Sequence, residues 1–433
     1  MRRHTQSLRI VVTGLIAQHP WLGGLTWHYL QYVLGLQALG HDVYYLEDSG
    51  EWPYTLDGGA SGNDWNARQC STNVEYLQLA MERFGLGDRW AYRFPRERRW
   101  YGMRTHQRQE VLRSADLLIN VSGTLRRPEQ YREIRRLVYI DSDPIFTQVK
   151  LALRRGHLGF QNRVAAHDVH FSFGETIERS GLESGYHWRP TRQPIVLAQW
   201  SSPGRHRGVY STVMSWTSYR PLKFRGTVYA QKDREFRRFV DLPRRIVPAQ
   251  LELAVNRIDH IEWQTVGLPP ADDSRQTPIE DSKASIAHAL ARRGWTIVDP
   301  MSVCGSIDLY RDYIQSSKGE WSVAKNGYVQ GRPGWFSERS ACYLAAGRPV
   351  IVQNTGFDAV LPVGEGILPF STVDEAAAAI ARVESDYARH SRAASDIAAE
   401  YFDAAKVLGR LLDEAYASES SVRVQSDARE TRP

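Results

Sequence analysis

The stretch GWFSERSACYLAAGRPVIVQNTGF, Gly334 to Phe357, concentrates residues that could do chemistry. Ser337 suits an N-cap, Gly347 a left-handed stop and Val350–Gln353 a strand, so the spacing predicts a helix from Glu338 to about Ala346. Ala341, Cys342, Leu344 and Ala345 fall on its packed side. A glycine-containing loop that opens a helix presents unbonded N–H groups and about half a positive charge, a setting for phosphate oxygens. Arg339 adds a full charge and a forked set of donors. Glu338 is awkward there, because it would repel a phosphate unless it accepts hydrogen bonds from a sugar diol. Its plainer role is to satisfy the helix dipole.

The first half offers a second group. Gly23 and Gly24 permit close approach of backbone to a diphosphate or sugar. His28 lies just inside the helix that follows, where a neutral imidazole can take a proton from an acceptor hydroxyl; a structural histidine is the commoner use of such a position. His19, before Pro20, is its rival. In DSDP, Asp141 and Asp143 stand at a strand end, where either can orient an acceptor or act as base. Cys70, Cys304 and Cys342 are odd in number and far apart, which argues against a disulfide framework or a cysteine-based zinc site.

These residues need a scaffold that brings the two halves together. A chain of 433 residues is too long for one core and suggests about two to three domains. Its 42% hydrophobic and 24% charged residues are those of an ordinary globular protein. Leu8–Gly14 reads as a buried strand, Leu25 to Gly40 as an amphipathic helix and Asp42–Glu47 as the next strand, which makes a βαβ unit. Further strands are expected within 115–123, 136–144 and 168–175, with helix at 129–135. A linker rich in Gly, Pro, Ser and Arg spans 193–208, and the alternation then restarts, with helices at 231–240 and 281–294 and a strand at 295–299. Thr372 and Glu375 have capping-box spacing. The expected architecture is therefore α/β: two doubly wound, Rossmann-like domains facing a cleft, at 1–200 and 208–397, followed by a last helix at 398–417 and a disordered tail at 418–433.

The net charge of +6 is modest, and the one dense basic segment is RFPRERRWYGMRTHQR, Arg93–Arg108. It reads as a solvated surface loop, with an anionic membrane surface or acidic substrate as its possible partner and nucleic acid ranked last. The start of the chain lacks the pattern of a secretion signal, and no apolar run is long enough to span a bilayer, so a cytoplasmic protein is expected.

The order of loop, Ser/Arg-bearing helix, LAAGRPVI, NTGF and LPVGEGILPFSTVDEAAAAI resembles the nucleotide-sugar half of glycosyltransferases with the two-Rossmann GT-B fold. WLGGLTWHYLQYVLGLQALGHDVYYLED is similar to their opening unit, and the helices near the end to their closing ones. The resemblance covers about the first fifty and last hundred and twenty residues. It implies transfer of a hexose from a UDP- or GDP-linked sugar to a hydroxyl acceptor, with no cofactor and no metal. Lys232 stands where the family often neutralises phosphate, and Thr355–Gly356 resemble the loop that touches the transferred sugar or its phosphate. Asp-x-Asp holds a metal in single-Rossmann relatives, whereas in a two-Rossmann enzyme it reads as a strand-end turn. Cys342 and Gly334 occupy the positions of the paired acids of many retaining members, and Arg339, three residues before Cys342, is closer to the spore-maturation and capsule-type branch. The alternatives are a non-catalytic sugar- or nucleotide-binding protein and a GT-B epimerase. Phosphorolysis would need a cofactor lysine, for which Lys406 has no supporting motif. A Rossmann dehydrogenase is disfavoured, since no G-x-G-x-x-G follows the first strand.

Overall fold

The computed structural model describes residues 7–54, 69–153, 156–201, 204–256 and 286–430, with side chains to residue 417. Two sheets organise it. The first contains β1 (Arg9–Thr13), β2 (Asp42–Glu47), β3 (Trp90–Phe94), β4 (Arg99–Gly102), β5 (Leu117–Val121), β6 (Leu137–Asp141), β7 (Val169–Ser172) and β8 (Arg189–Pro190), in the order β4-β3-β2-β1-β5-β6-β7-β8. Its pairs are parallel except β3 with β4. Every residue of β5 and β6 is buried, as continuous apolar strands covered on both faces require.

In the second half, β9 (Val209–Ser215) leads to a small hairpin, β10 (Leu222–Phe224) and β11 (Thr227–Tyr229). The sheet is then built from β12 (Gln250–Asn256), β13 (Trp295–Val298), β14 (Gly319–Ser322), β15 (Val350–Gln353) and β16 (Ile367–Phe370). Its order, β13-β12-β9-β14-β15-β16, is all parallel and reverses direction beside the first strand, which is the doubly wound Rossmann order. The first sheet carries the same order at its centre, with β4 and β8 added at the edges.

The chain passes from one sheet to the other at Ile195 and returns at Asp403. There the N–H of Ile195 donates to the carbonyl of Phe402 at 2.7 Å and that of Ala404 to the carbonyl of Ile195 at 2.9 Å. After a π-helical turn at Ala398–Phe402, the final helix Ala404–Glu430 lies against the helix Gly23–Ala38, burying Leu408, Leu411, Leu412 and Ala415. Arg189 ties its backbone to the first domain by donating to the carbonyl of Glu414 at 2.5 Å.

Local departures from the sequence reading have physical causes. Arg93–Arg108 is a β3–β4 hairpin followed by the start of the helix Thr105–Ser114, and the guanidinium groups of Arg93 and Arg108 both lie over the Trp100 ring, at 5.7 and 4.4 Å from its centre. The expected helix at 129–135 is a 3₁₀ turn, Pro128–Tyr131. Residues 418–430 continue the last helix instead of forming an unstructured tail, since extending a nucleated helix costs little where no proline intervenes. The helix expected at 281–294 begins outside the described residues; 286–291 are helical. No described helix is long and apolar enough to cross a membrane.

Candidate active site

A cleft of about 560 Å³ separates the two sheets and is lined by the segments that leave the carboxyl ends of their strands. Gly23, Gly24 and His28 follow β1, Asp143 follows β6, Lys232 follows the small hairpin, and Lys325 follows β14. Ser337, Glu338 and Arg339 line the same cleft, on the side of Lys232. Ligand sites in open α/β sheets occur at this edge because the strand order reverses there and leaves a crevice.

The helix Glu338–Ala345 starts at the cleft. Ser337 has the extended backbone of an N-cap, but its side chain makes no capping hydrogen bond. The first bond of the helix runs from the N–H of Ala341 to the carbonyl of Ser337, so the N–H groups ahead of it have no helical acceptor. Beside them, the half-buried ammonium of Lys232 makes no hydrogen bond or ion pair with any described residue. Burial, then the charges of Arg339 and Lys325, hold its pKa well below the ordinary lysine value. An amine with no acidic partner among the described residues and a helix N-terminus with unbonded N–H groups thus share one wall.

Arg339 is arranged differently from the sequence expectation. Its guanidinium turns back toward β14, donating to Glu320 at 2.7 Å, to the Val213 carbonyl at 2.6 Å and to Ser322 Oγ at 3.1 Å. Burial works against its charge and the fully buried Glu320 carboxylate outweighs that, so Arg339 stays a cation whose forked donors are already used. Glu338 accepts from the Cys342 thiol at 3.2 Å, and burial pushes its pKa to about 7. Cys342 and Gly334 supply no carboxylate, and a Cβ at Gly334 would meet Thr176 Oγ1 at 2.8 Å.

His28 faces the cleft with Nε2 3.4 Å from Ser122 Oγ, which in turn lies 2.6 Å from Ser142 Oγ. The rings of Tyr29, Tyr32 and Phe173 enclose it, and burial lowers its pKa to about 4, so it is neutral at neutral pH. His19 packs on Tyr54 outside the cleft lining. The glycines before His28 serve packing: a Cβ at Gly23 would meet the Ser306 carbonyl oxygen at 2.1 Å, and one at Gly24 the Tyr310 ring at 2.9 Å. Their bareness lets the start of the first helix sit against the helix Ile307–Ser316 of the other domain, so the close approach they allow is to protein.

The two aspartates part company. Asp141 is buried away from the cleft lining and accepts from Thr147, Gln148 and Ser172 at 2.7, 2.9 and 3.0 Å, which leaves it anchoring the start of the helix Phe146–Ala152. Asp143 reaches across the cleft to Lys325 at 2.8 Å and also accepts from Tyr219 and Tyr328. Burial opposes its ionisation, but Lys325 and the two phenols prevail and keep it ionised, so it clasps the domains together. Thr355 and Gly356 lie behind the wall: Thr355 donates to the Trp335 carbonyl, and Gly356 backs onto the Arg332 carbonyl. The sequence reading missed Lys325, because the strand before it, Gly319–Ser322, reads GEWS and shows no apolar run to mark a strand end. It also missed Gln231, whose buried side chain lines the cleft beside Tyr219.

Two doubly wound domains that face each other across a cleft, with the chain crossing back at its end, define the GT-B fold. Among solved structures the chain is similar to an α-glucosyltransferase in complex with UDP and a 13-mer DNA containing an HMU base, with a TM-score of 0.55 and 13% identity over 95% of this chain and 100% of that one. It is similar also to Anabaena HepE in complex with UDP-glucose, with a TM-score of 0.51 and 10% identity over 94% and 99% of the two chains. At such identities the likeness is one of fold. No protein-family model matches the chain, and no relative was found among curated protein sequences.

Proposed function

We propose that the chain is a glycosyltransferase that moves a hexose from a nucleoside-diphosphate sugar, UDP- or GDP-linked, to a hydroxyl acceptor, using protein charges instead of a metal. The observation that carries this is the pairing of the open N-terminus at Ser337 with the uncompensated Lys232 on one wall of the cleft. As the glycosidic bond breaks, negative charge accumulates on the leaving diphosphate. Helix N–H groups and a cation held in place beforehand offset that charge without reorganising. Arg339, paired with Glu320, braces this wall from behind, and Glu338, near half-protonated at neutral pH, faces the same space with a hydroxyl or carboxylate to offer the sugar nucleotide. His28, neutral and opposite this wall, is positioned to accept the acceptor's proton, with Ser122 and Ser142 as a relay.

Calorimetric titration with UDP, GDP and UDP-glucose, followed by a search for UDP release with candidate acceptors, tests the assignment. Saturable binding of one nucleotide diphosphate, weakened by neutralising Lys232, is the expected result. Absence of binding by any of the three would dismiss it. The binding-only alternative is favoured by the lack of carboxylates at 334 and 342. Binding without release of UDP from any sugar nucleotide would select it.

A further inference from the structure

Away from the cleft wall just described, a second recess of about 220 Å³ is lined by Arg93, Arg98, Arg126 and Arg127 together with Asp48 and Gly50. Three segments supply them: the turn after β2, the β3–β4 hairpin and the loop after β5. The strands β2, β3 and β5 are parallel members of one sheet, so the recess lies along the same carboxyl edge as the cleft. The segments are tied together. The N–H of Arg126 donates to the Asp48 carbonyl at 3.1 Å. Gly50 has φ +66°, and a Cβ there would come within 2.9 Å of Arg126 Cγ, so bare backbone seats the arginine's stem.

The charges do not balance. Asp48 is satisfied by Tyr131 at 2.7 Å and Arg93 at 3.2 Å, and Arg126 pairs with Glu51 at 2.9 Å. Arg98 and Arg127 have no carboxylate partner among the described residues. Arg163 stands close enough to Arg126 that, after burial, that charge is the next cause depressing its own pKa. Forked donors converging from separate segments suit a tetrahedral anion with several oxygens better than a point contact. The recess also has a geometric link to the candidate base. Ser122, 3.4 Å from His28, is four residues before Arg126 on the same loop, a span of at most about 14 Å.

We propose that this recess is an anion subsite for the acceptor: it holds a phosphate group carried by the molecule whose hydroxyl is presented at His28. The proposal rests on the transferase reading for the word acceptor, and on the arginine cluster alone for the phosphate. The same chemistry could be supplied by a soluble sugar or polyol phosphate or by a lipid-borne phosphate, and the test separates them.

Methyl phosphate is titrated into the full chain saturated with UDP, and into the double variant Arg98→Gln/Arg127→Gln. The expected result is binding that weakens about tenfold or more in the variant, with UDP affinity unchanged. Sedimentation with phosphatidylcholine vesicles, with and without phosphatidylglycerol, runs in parallel. Phosphatidylglycerol-dependent sedimentation lost in the variant assigns the phosphate to a lipid, and methyl phosphate binding without sedimentation assigns it to a soluble acceptor. If the wild type takes up neither probe, or the variant takes up both undiminished, the subsite is overturned. A protein that binds methyl phosphate through these arginines but never binds a nucleotide would sink the transferase reading and leave the anion site standing.

Discussion

Replacing Lys232 by methionine keeps most of the aliphatic stem and removes the ammonium, and the structure gives the change two opposite signs. In the free protein the cation is half-buried, faces Arg339 and Lys325, and has no anion bonded to it among the described residues. Removing it should therefore leave stability unchanged or raise it by about 1 kcal/mol, because an amine with no partner is taken out of a place that solvates its charged form poorly. In the nucleotide complex the same cation has its partner. A hydrogen bond to a charged group contributes about 1.5–3 kcal/mol, so UDP affinity should fall about 10- to 150-fold. The depressed pKa adds a further signature. Above the folded-state value the folded protein holds fewer protons at this site than the unfolded chain, so wild-type stability rises with pH up to the ordinary lysine value, and this component vanishes in Lys232→Met. Urea unfolding of the free protein and calorimetric titration with UDP measure the two signs. A variant that is less stable alone and binds UDP as well as wild type does would refute the reasoning, since Lys232 would then be a structural residue facing away from any phosphate.

Three further outcomes follow from the same wall and its opposite. Arg339→Ala should destabilise the fold by about 3–5 kcal/mol by leaving Glu320 buried without its partner; a shift in the urea midpoint checks this, and near-wild-type stability would mean the pair carries little. Glu338, with its pKa lifted to about 7 by burial, is ionised as pH rises through that value, so UDP-glucose affinity should drop about tenfold between about pH 6 and pH 8. Folding stability should weaken over the window from the ordinary carboxylate range up to about 7, and Glu338→Gln should flatten both profiles. Asp143→Asn removes the charge that draws Lys325, Tyr219 and Tyr328 across the cleft, at a cost of about 2 kcal/mol. Small-angle scattering should show a larger radius of gyration if Asp143 is the clasp, and an unchanged radius would remove it from that role.

Local pattern carried much of the architecture. The β-branched run at Arg9–Thr13, the helix stopped at Gly40 and the Thr372–Glu375 capping box are all read from neighbours within a few residues and form as read, although the helix is buried on every side from Tyr29 to Leu36 instead of along one apolar face. The hairpin at Trp90–Gly102 was illegible, and the guanidinium groups that lie over its Trp100 include one eight residues further along. Composition alone reads that segment as solvated.

At the site the division is sharper. That Ser337 begins a helix, that Lys232 opens one and that His28 lies inside one can be read along the chain, since caps, turns and periodicity are local. What each of these side chains faces depends on segments that folding brings together from far along the chain. Arg339 is spent on Glu320, Asp143 on Lys325 from the other domain, and Gly23 on the backbone of Ser306, while Lys232 is left without a partner among the described residues. The reason is physical: a charge is free or satisfied according to what lies within about 4 Å of it. Those neighbours arrive from 19, 182 and 283 residues away in the chain.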